Sequence, residues 1–172
     1  MNHIFFDNFA NIFNQIYNMI PFTHLHVHSQ FSLLDGQAAI NKLVDKAIAD
    51  GQKGIALTDH GNMFGIKELF DYVSKVNKGK EAEERFKPIL GCEMYVAKKS
   101  LRDRGDKTDN GYHLIVLAKN KTGYKNLIKL VSKAWTDGFY FKPRTDREEL
   151  AKHKEGLIIA SACLGGEIPQ KI

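Results

Sequence analysis

From Pro21 onward, short apolar runs alternate with longer amphipathic stretches. This alternation restricts the fold more tightly than any other feature of the chain, because the two patterns belong to strands and helices respectively. Apolar runs at 22–28, 54–58, 88–97, 113–118 and 156–161 predict strands. Between them, residues 37–50 place Ile40, Leu43, Val44, Ala47 and Ile48 at helical spacing, with Gly51 positioned to end the helix. Residues 63–77 and 121–136 repeat the pattern, the latter with Leu127, Ile128, Leu130 and Val131 facing inward. A shorter helix is predicted from Thr145 or Asp146, where a capping side chain precedes Glu148 and Glu149. Repeated strand-helix-strand units with short turns predict an α/β domain of parallel strands, in an open sheet or a barrel. Periodicity does not choose between the two.

With 172 residues, 43% of them hydrophobic, the chain is long enough for one domain with a substantial core and too short for two of ordinary size. Residues 1–20 read as an N-terminal extension and 21–172 as the domain. Asp7, Asn8, Asn11, Asn14 and Gln15 interrupt the apolar positions of the extension, which also lacks a basic start, so no export signal is expected. No stretch approaches the roughly 20 continuous apolar residues of a membrane span. Two cysteines are too few for a disulfide scaffold, which points to a reducing cytoplasm. The net charge of +5 permits a nucleic-acid partner without requiring one. Residues 98–112, dense in charge and glycine, read as a solvated loop. The run Phe139-Tyr140-Phe141-Lys142-Pro143-Arg144 interleaves rings that could stack nucleic-acid bases with charges that could hold phosphate, but reads first as core aromatics entering a proline turn. Trp135 reads as helix-face packing.

The chemistry concentrates at the predicted strand ends. His24, His26 and His28 alternate along the first apolar segment, so a regular strand would carry all three to one face as prospective metal ligands. Asp35 follows in the turn Leu34-Asp35-Gly36, and Asp59-His60 closes the second run. Glu93 lies on the third, His113 opens the fourth and Cys163 follows the fifth. Singly these are a turn former, a solvated strand residue, a capping histidine and a small hydrophobe. Together they supply imidazole, carboxylate and thiolate from five successive segments, a mix suited to Zn²⁺ or Mn²⁺ in a multinuclear site. A bridging carboxylate such as Glu93 could hold two ions close together, and paired ions activate water while neutralising phosphate, which predicts phosphoester hydrolysis.

The segments HLHVHSQFSLLDG, LTDHGNMFG, PILGCEMYV, HLIVLAKNKTGYKNL and GLIIASACLGGEIP resemble, in order, the motifs of the polymerase and histidinol phosphatase (PHP) domain that begins bacterial DNA polymerase III alpha subunits. The resemblance covers about residues 22–172. It implies a distorted (β/α)7 barrel, incomplete here with about five of the seven strands present. It also implies that His26, His28, Asp35, His60, Glu93, His113 and Cys163 bind divalent metal, up to three ions, with zinc favoured and manganese as the alternative. His24 stands where related domains often carry Asp, which puts it and Asp59 behind the ligands as orienting groups. His26, His28, His60 and Glu93 would then act in catalysis through the bound metal.

In family members with an intact cluster, the implied activity is a metal-dependent 3′–5′ exonuclease that proofreads for a DNA-directed DNA polymerase, a nucleotidyltransferase of DNA replication. The implied partners are the primer 3′ end, the rest of the polymerase chain, and the proofreading and clamp subunits of the replicase, with no membrane. The chain departs from the family pattern in lacking the final Asp-x-His pair and any candidate for the paired polymerase aspartates; Asp103, Asp106 and Asp109 are poor substitutes. DNA synthesis is therefore not expected of these residues alone. The stretch between Glu93 and His113 is also too short for the exonuclease domain inserted in the other Gram-positive-type polymerase. Two alternatives stand beside this reading: a free-standing phosphatase of histidinol-phosphate type, and a non-catalytic scaffold for the polymerase.

Overall fold

The computed structural model describes residues 22–172, and the expected extension, 1–20, lies outside the described residues. Helix α1 (Ile40–Ala49) turns Ile40, Val44 and Ala47 inward, and α2 (Ile66–Val76) turns in Ile66, Leu69 and Val73. These side chains close on Ile55 and Leu57 of β1 (Gly54–Leu57) and on Phe86, making one apolar cluster. Each fully buried Ile or Leu contributes about 1.5–3 kcal/mol. Asn77, just past α2, donates to the Phe86 carbonyl and accepts from the Phe86 N–H, which fixes the turn into β2 (Lys87–Val96).

Strand β3 (Tyr112–Ala118) leads into α3 (Lys121–Thr136), where Asn120 Oδ1 accepts the Gly123 N–H at 2.9 Å as an N-cap. Leu127, Leu130 and Ala134 of this helix pack on Cys92, Met94 and Val116, forming a second cluster. The chain continues through β4 (Phe139–Tyr140), β5 (Lys142–Thr145), α4 (Arg147–Lys152) and β6 (Leu157–Ser161). Asp146 caps α4 by accepting the Glu149 N–H at 2.9 Å, as its place before Glu148 and Glu149 predicts.

The strands form one mixed sheet ordered β4-β5-β2-β3-β6, with β1 paired to the first half of β2. The expected parallel arrangement holds for β1 with β2 and for β2 with β5, whereas β2 with β3 and β3 with β6 are antiparallel. A parallel return needs a crossover, usually helical, and residues 97–111 contain no helix, so β3 comes back beside β2 in the opposite sense.

Residues 22–28 are not a regular strand. Ala56 N–H donates to the His24 carbonyl and Thr58 N–H to the Val27 carbonyl, both at 2.9 Å. Three residues on one side are thus matched to two on the other, with a bend at Leu25-His26. Thr58 Oγ1 accepts the Val27 N–H at 2.8 Å, a side chain standing in for a ladder carbonyl.

The charged stretch 98–112 is pinned rather than free. Arg144 is wholly buried and reaches Asp109 Oδ2 at 3.3 Å and the Asp103 carbonyl at 2.5 Å. Asp146 Oδ2 accepts the Leu101 N–H at 2.9 Å. Among the described residues, no helix is long and apolar enough to cross a membrane.

Candidate metal centre

Strand alternation decides which face of β2 carries chemistry. Cys92 and Met94 point into the α3 cluster, so Glu93 and Tyr95 point to the opposite face. Glu93 pairs with Ile115 and Tyr95 with His113, which makes His113 the diagonal neighbour of Glu93 on that face. The backbone just beyond β1 continues along the same edge. Glu93 N–H donates to the Asp59 carbonyl at 3.1 Å and Gly61 N–H to the Glu93 carbonyl at 2.9 Å, and this seats His60 beside Glu93. On the other side, His113 N–H donates to the Gly165 carbonyl at 2.9 Å, which draws the turn carrying Cys163 against His113.

The wholly buried Glu93 carboxylate is the hub. Its Oε1 lies 2.8 Å from His113 Nδ1, 3.5 Å from His26 Nε2 and 3.7 Å from Cys163 Sγ. Its Oε2 lies 2.5 Å from His60 Nδ1 and 3.3 Å from His28 Nε2. The Nε2 atoms of His26 and His28 face each other at 3.1 Å, the His28 and His60 rings stack at 4.0 Å, and Cys163 Sγ is 3.4 Å from His113 Nδ1. Asp35 joins through His60, its Oδ2 lying 2.7 Å from His60 Nε2. The structure thus gathers His26, His28, Asp35, His60, Glu93, His113 and Cys163 in one place.

His24 is the exception among the residues singled out. It is exposed, its ring lies edge-on to Phe22 at 4.7 Å, and it lines a separate small cavity with Asp50, Gln52 and Ile55. The bend at Leu25-His26 breaks the alternation that would have carried it to the cluster, so the structure does not place it behind His26 or His28.

Among the described residues, two sets of potential ligand atoms have all their members within 4.8 Å of one another: His26, His28 and Glu93, and Glu93, His113 and Cys163. Both use Glu93. His60 Nδ1 and Glu93 Oε2 are buried without a hydrogen-bond partner although they lie 2.5 Å apart. Their proton and lone-pair directions miss each other, as expected of two ligands aimed at a common third point rather than at one another. The donor set and these orphaned atoms both fit a divalent cation.

The electrostatics follow from this crowding. Burial alone would raise the Glu93 carboxyl, but His113 and His60 beside it outweigh burial and hold it far below the ordinary carboxylate range. Burial, with His60 stacked on it, pushes His28 below the usual imidazole value and keeps it in the neutral form a metal needs. Glu93 raises His60 against its burial, with Asp35 adding to the effect.

Asp59 lies behind the hub, buried. Its Oδ1 accepts from Ser29 N–H at 2.6 Å and Ser32 Oγ at 2.7 Å, and its Oδ2 accepts from Ser29 Oγ at 2.8 Å. Ser32 Oγ in turn meets His28 Nδ1 at 3.3 Å and accepts the His60 N–H at 3.1 Å. With its one proton given to Asp59, Ser32 can only accept from His28. That sets the proton on Nδ1 and leaves Nε2 with a lone pair directed at the centre. Sequence reasoning passed over Ser29 and Ser32; the signal was their place inside HVHSQFS, between the histidines gathered at Glu93 and Asp35.

The model of the PHP domain family matches residues 24–172. Aligned DNA polymerase III alpha subunits include those of Treponema pallidum, 52% identical over 87% of this chain, and Borreliella burgdorferi, 48% over 88%. A third, from Thermus aquaticus, is 48% identical over 89%. The alignments take in 12%, 13% and 12% of these relatives, so the chain spans about an eighth of their length. Among solved structures, an amidohydrolase from Chromobacterium violaceum aligns at 20% identity with a TM-score of 0.40, over 64% of this chain and 34% of that one. The matched region runs through every side chain gathered around Glu93, and the chain belongs to the PHP domain family.

Proposed function

We propose that these residues are the PHP part of a replicative DNA polymerase alpha subunit and act as a metal-dependent phosphoesterase, a 3′–5′ exonuclease on the primer end. The sheet would then form part of the distorted barrel that the resemblance implies. The observation that carries the reading is the convergence of imidazole, carboxylate and thiol on Glu93, with His60 Nδ1 and Glu93 Oε2 buried and unpartnered. Identity of about half to polymerase subunits over most of the chain favours this family over a free-standing small-molecule phosphatase.

His26, His28 and Glu93 would hold one ion, and Glu93 with His113 and Cys163 a second. His60 stands beside them, between Glu93 Oε2 at 2.5 Å and Asp35 Oδ2 at 2.7 Å. Nitrogen, carboxylate and thiolate donors suit zinc, with manganese the alternative. Bound there, divalent metal supplies a Lewis acid for a water nucleophile and for the phosphate oxygens. The chain itself sets the ligand geometry. Asp59 and Ser32 fix the His28 tautomer, Asp35 turns His60, and the neutral state of His28 leaves its lone pair free.

The test is digestion of a 3′-labelled primer by the chain with zinc or manganese, beside a His26→Ala/His60→Ala control. Metal-dependent loss of the label in the parent alone supports the reading. A metal-loaded parent that leaves primer intact while joining its polymerase chain stably would favour the scaffold alternative.

A further inference from the structure

The aromatic run after α3 is not core. Trp135 is 44% exposed, Phe139 48% and Phe141 64%, against the packing roles their sequence context suggests. Trp135 and Phe139 stack on each other at 5.5 Å, 18° from parallel. Phe141 adopts φ +58°, a left-handed conformation that a bulky side chain rarely takes, in the tight turn between β4 and β5. The Phe141 ring lies 4.7 Å from that of Tyr140, so the exposed Trp135-Phe139 stack and the exposed Phe141 follow one another along the hairpin and leave ring faces open to a partner.

The cluster is joined to the metal centre. Trp135 Nε1 donates to the Gly61 carbonyl at 2.8 Å, one residue from His60. Gly61 sits at φ +62°, and a Cβ there would strike Pro143 Cγ at 2.6 Å, so the metal-bearing loop and the β4-β5 hairpin interlock. Of the flanking charges, Asp137 is paired with Arg102 at 3.1 Å, and the cations nearest the rings are Lys142 and Arg104. Lys142 Nζ lies 5.3 Å over the Tyr95 ring, whose centroid is 5.1 Å from the His113 ring and 6.4 Å from that of His60. Among the described residues Lys142 makes no ion pair, and Arg104 lies over Tyr140 at 5.5 Å while donating to the Leu101 carbonyl at 2.7 Å and the Asp137 carbonyl at 2.9 Å, which holds its guanidinium in place.

We propose that Trp135, Phe139 and Phe141 form a stacking platform for the bases of single-stranded DNA, with Lys142 and Arg104 holding its phosphates beside the metal centre. Every unpaired base offers a face to such rings, and cations interleaved with exposed aromatics are the usual equipment of single-strand grooves. Duplex bases are already stacked on each other and cannot use the platform. The assignment deepens the exonuclease reading and rests on it for the direction of the strand, since the free end would enter where Glu93 gathers its ligands.

Trp135 is the chain's single tryptophan, so its fluorescence reports on the platform alone. The experiment titrates the 172-residue chain with oligothymidylate of about ten nucleotides, within the span of known single-strand sites, in chelator and again with zinc. Saturable quenching is expected in both, and Phe139→Ala/Phe141→Ala should weaken binding at least tenfold with an unchanged far-UV circular dichroism spectrum. Lys142→Gln should lower the salt dependence of binding. The proposal is overturned if no quenching occurs, if the double variant binds like the parent, or if hairpin duplex competes as well as the single strand. Quenching without metal-dependent primer digestion supports the platform and contradicts the exonuclease. Hydrolysis of a small phosphodiester without quenching does the reverse.

Discussion

The Asp59 carboxylate accepts a 2.7 Å hydrogen bond from Ser32 Oγ, and through that hydroxyl a buried charge sets the tautomer of His28, 3.3 Å further on. Ser32→Ala removes the relay without touching a ligand atom. It frees the His28 proton to occupy either nitrogen and leaves Asp59 with one donor fewer. Metal affinity is expected to fall about 10–100-fold, measured by competition with a coloured chelator. Ser32→Thr, which keeps the hydroxyl, should recover most of the loss.

The two cysteines should part company toward alkylating reagents. Cys163 is exposed at the centre, whereas Cys92 is wholly buried, and burial with the nearby Asp59 and Glu93 charges pushes its thiol far up. Iodoacetamide should therefore modify Cys163 alone in the metal-free chain, and zinc should slow that reaction. Peptide mass mapping reads both sites. Equal rates with and without zinc would remove Cys163 from the ligand set.

Arg144→Met is expected to destabilise the fold by about 3–5 kcal/mol, because it leaves Asp109 buried without its counter-charge. Arg144→Lys should not rescue it. A single ammonium cannot serve Asp109 together with the Asp103 and Leu101 carbonyls as the guanidinium does. Urea denaturation gives the magnitude, and proteolysis within 97–111 should accelerate in both variants.

Acid sensitivity should run partly through Glu149. Lys133 Nζ, 2.8 Å away, holds this carboxyl below its ordinary value against the cost of burial, with Lys152 contributing. A carboxyl lowered on folding adds stability that is present above the unfolded value of about 4.3 and is lost as pH falls through the folded one. Melting temperature followed from about pH 6 to about pH 3 should fall more steeply for the parent than for Glu149→Gln. Parallel curves would assign the acid limb to other groups.

Much of this was legible in the sequence, and the exceptions have physical causes. Three of the four helices carried strong periodicity, and α4 announced itself by its Asp146 cap. The strands at 54–58, 88–97, 113–118 and 156–161 were visible as apolar runs, but their sense was not, since antiparallel return depends on what the 97–111 connection does in space. His24 went astray because a bend at Leu25-His26 leaves no mark in an alternating pattern. Asp109 looked solvated because its partner, Arg144, lies far along the chain. Ser29 and Ser32 act only through Asp59, and hydroxyl relays of that kind have no periodicity to read.

If Glu93 and its neighbours bind metal, the purified chain should carry it, as read by mass spectrometry of its metal content after equilibration with zinc and removal of the excess. A His26→Ala/His60→Ala variant, checked for folding by circular dichroism, runs alongside. Stoichiometric zinc in the parent and its loss in the folded variant is the predicted result. Zinc absent from the parent, or retained equally by the variant, would mean that the side chains around Glu93 are not a metal site.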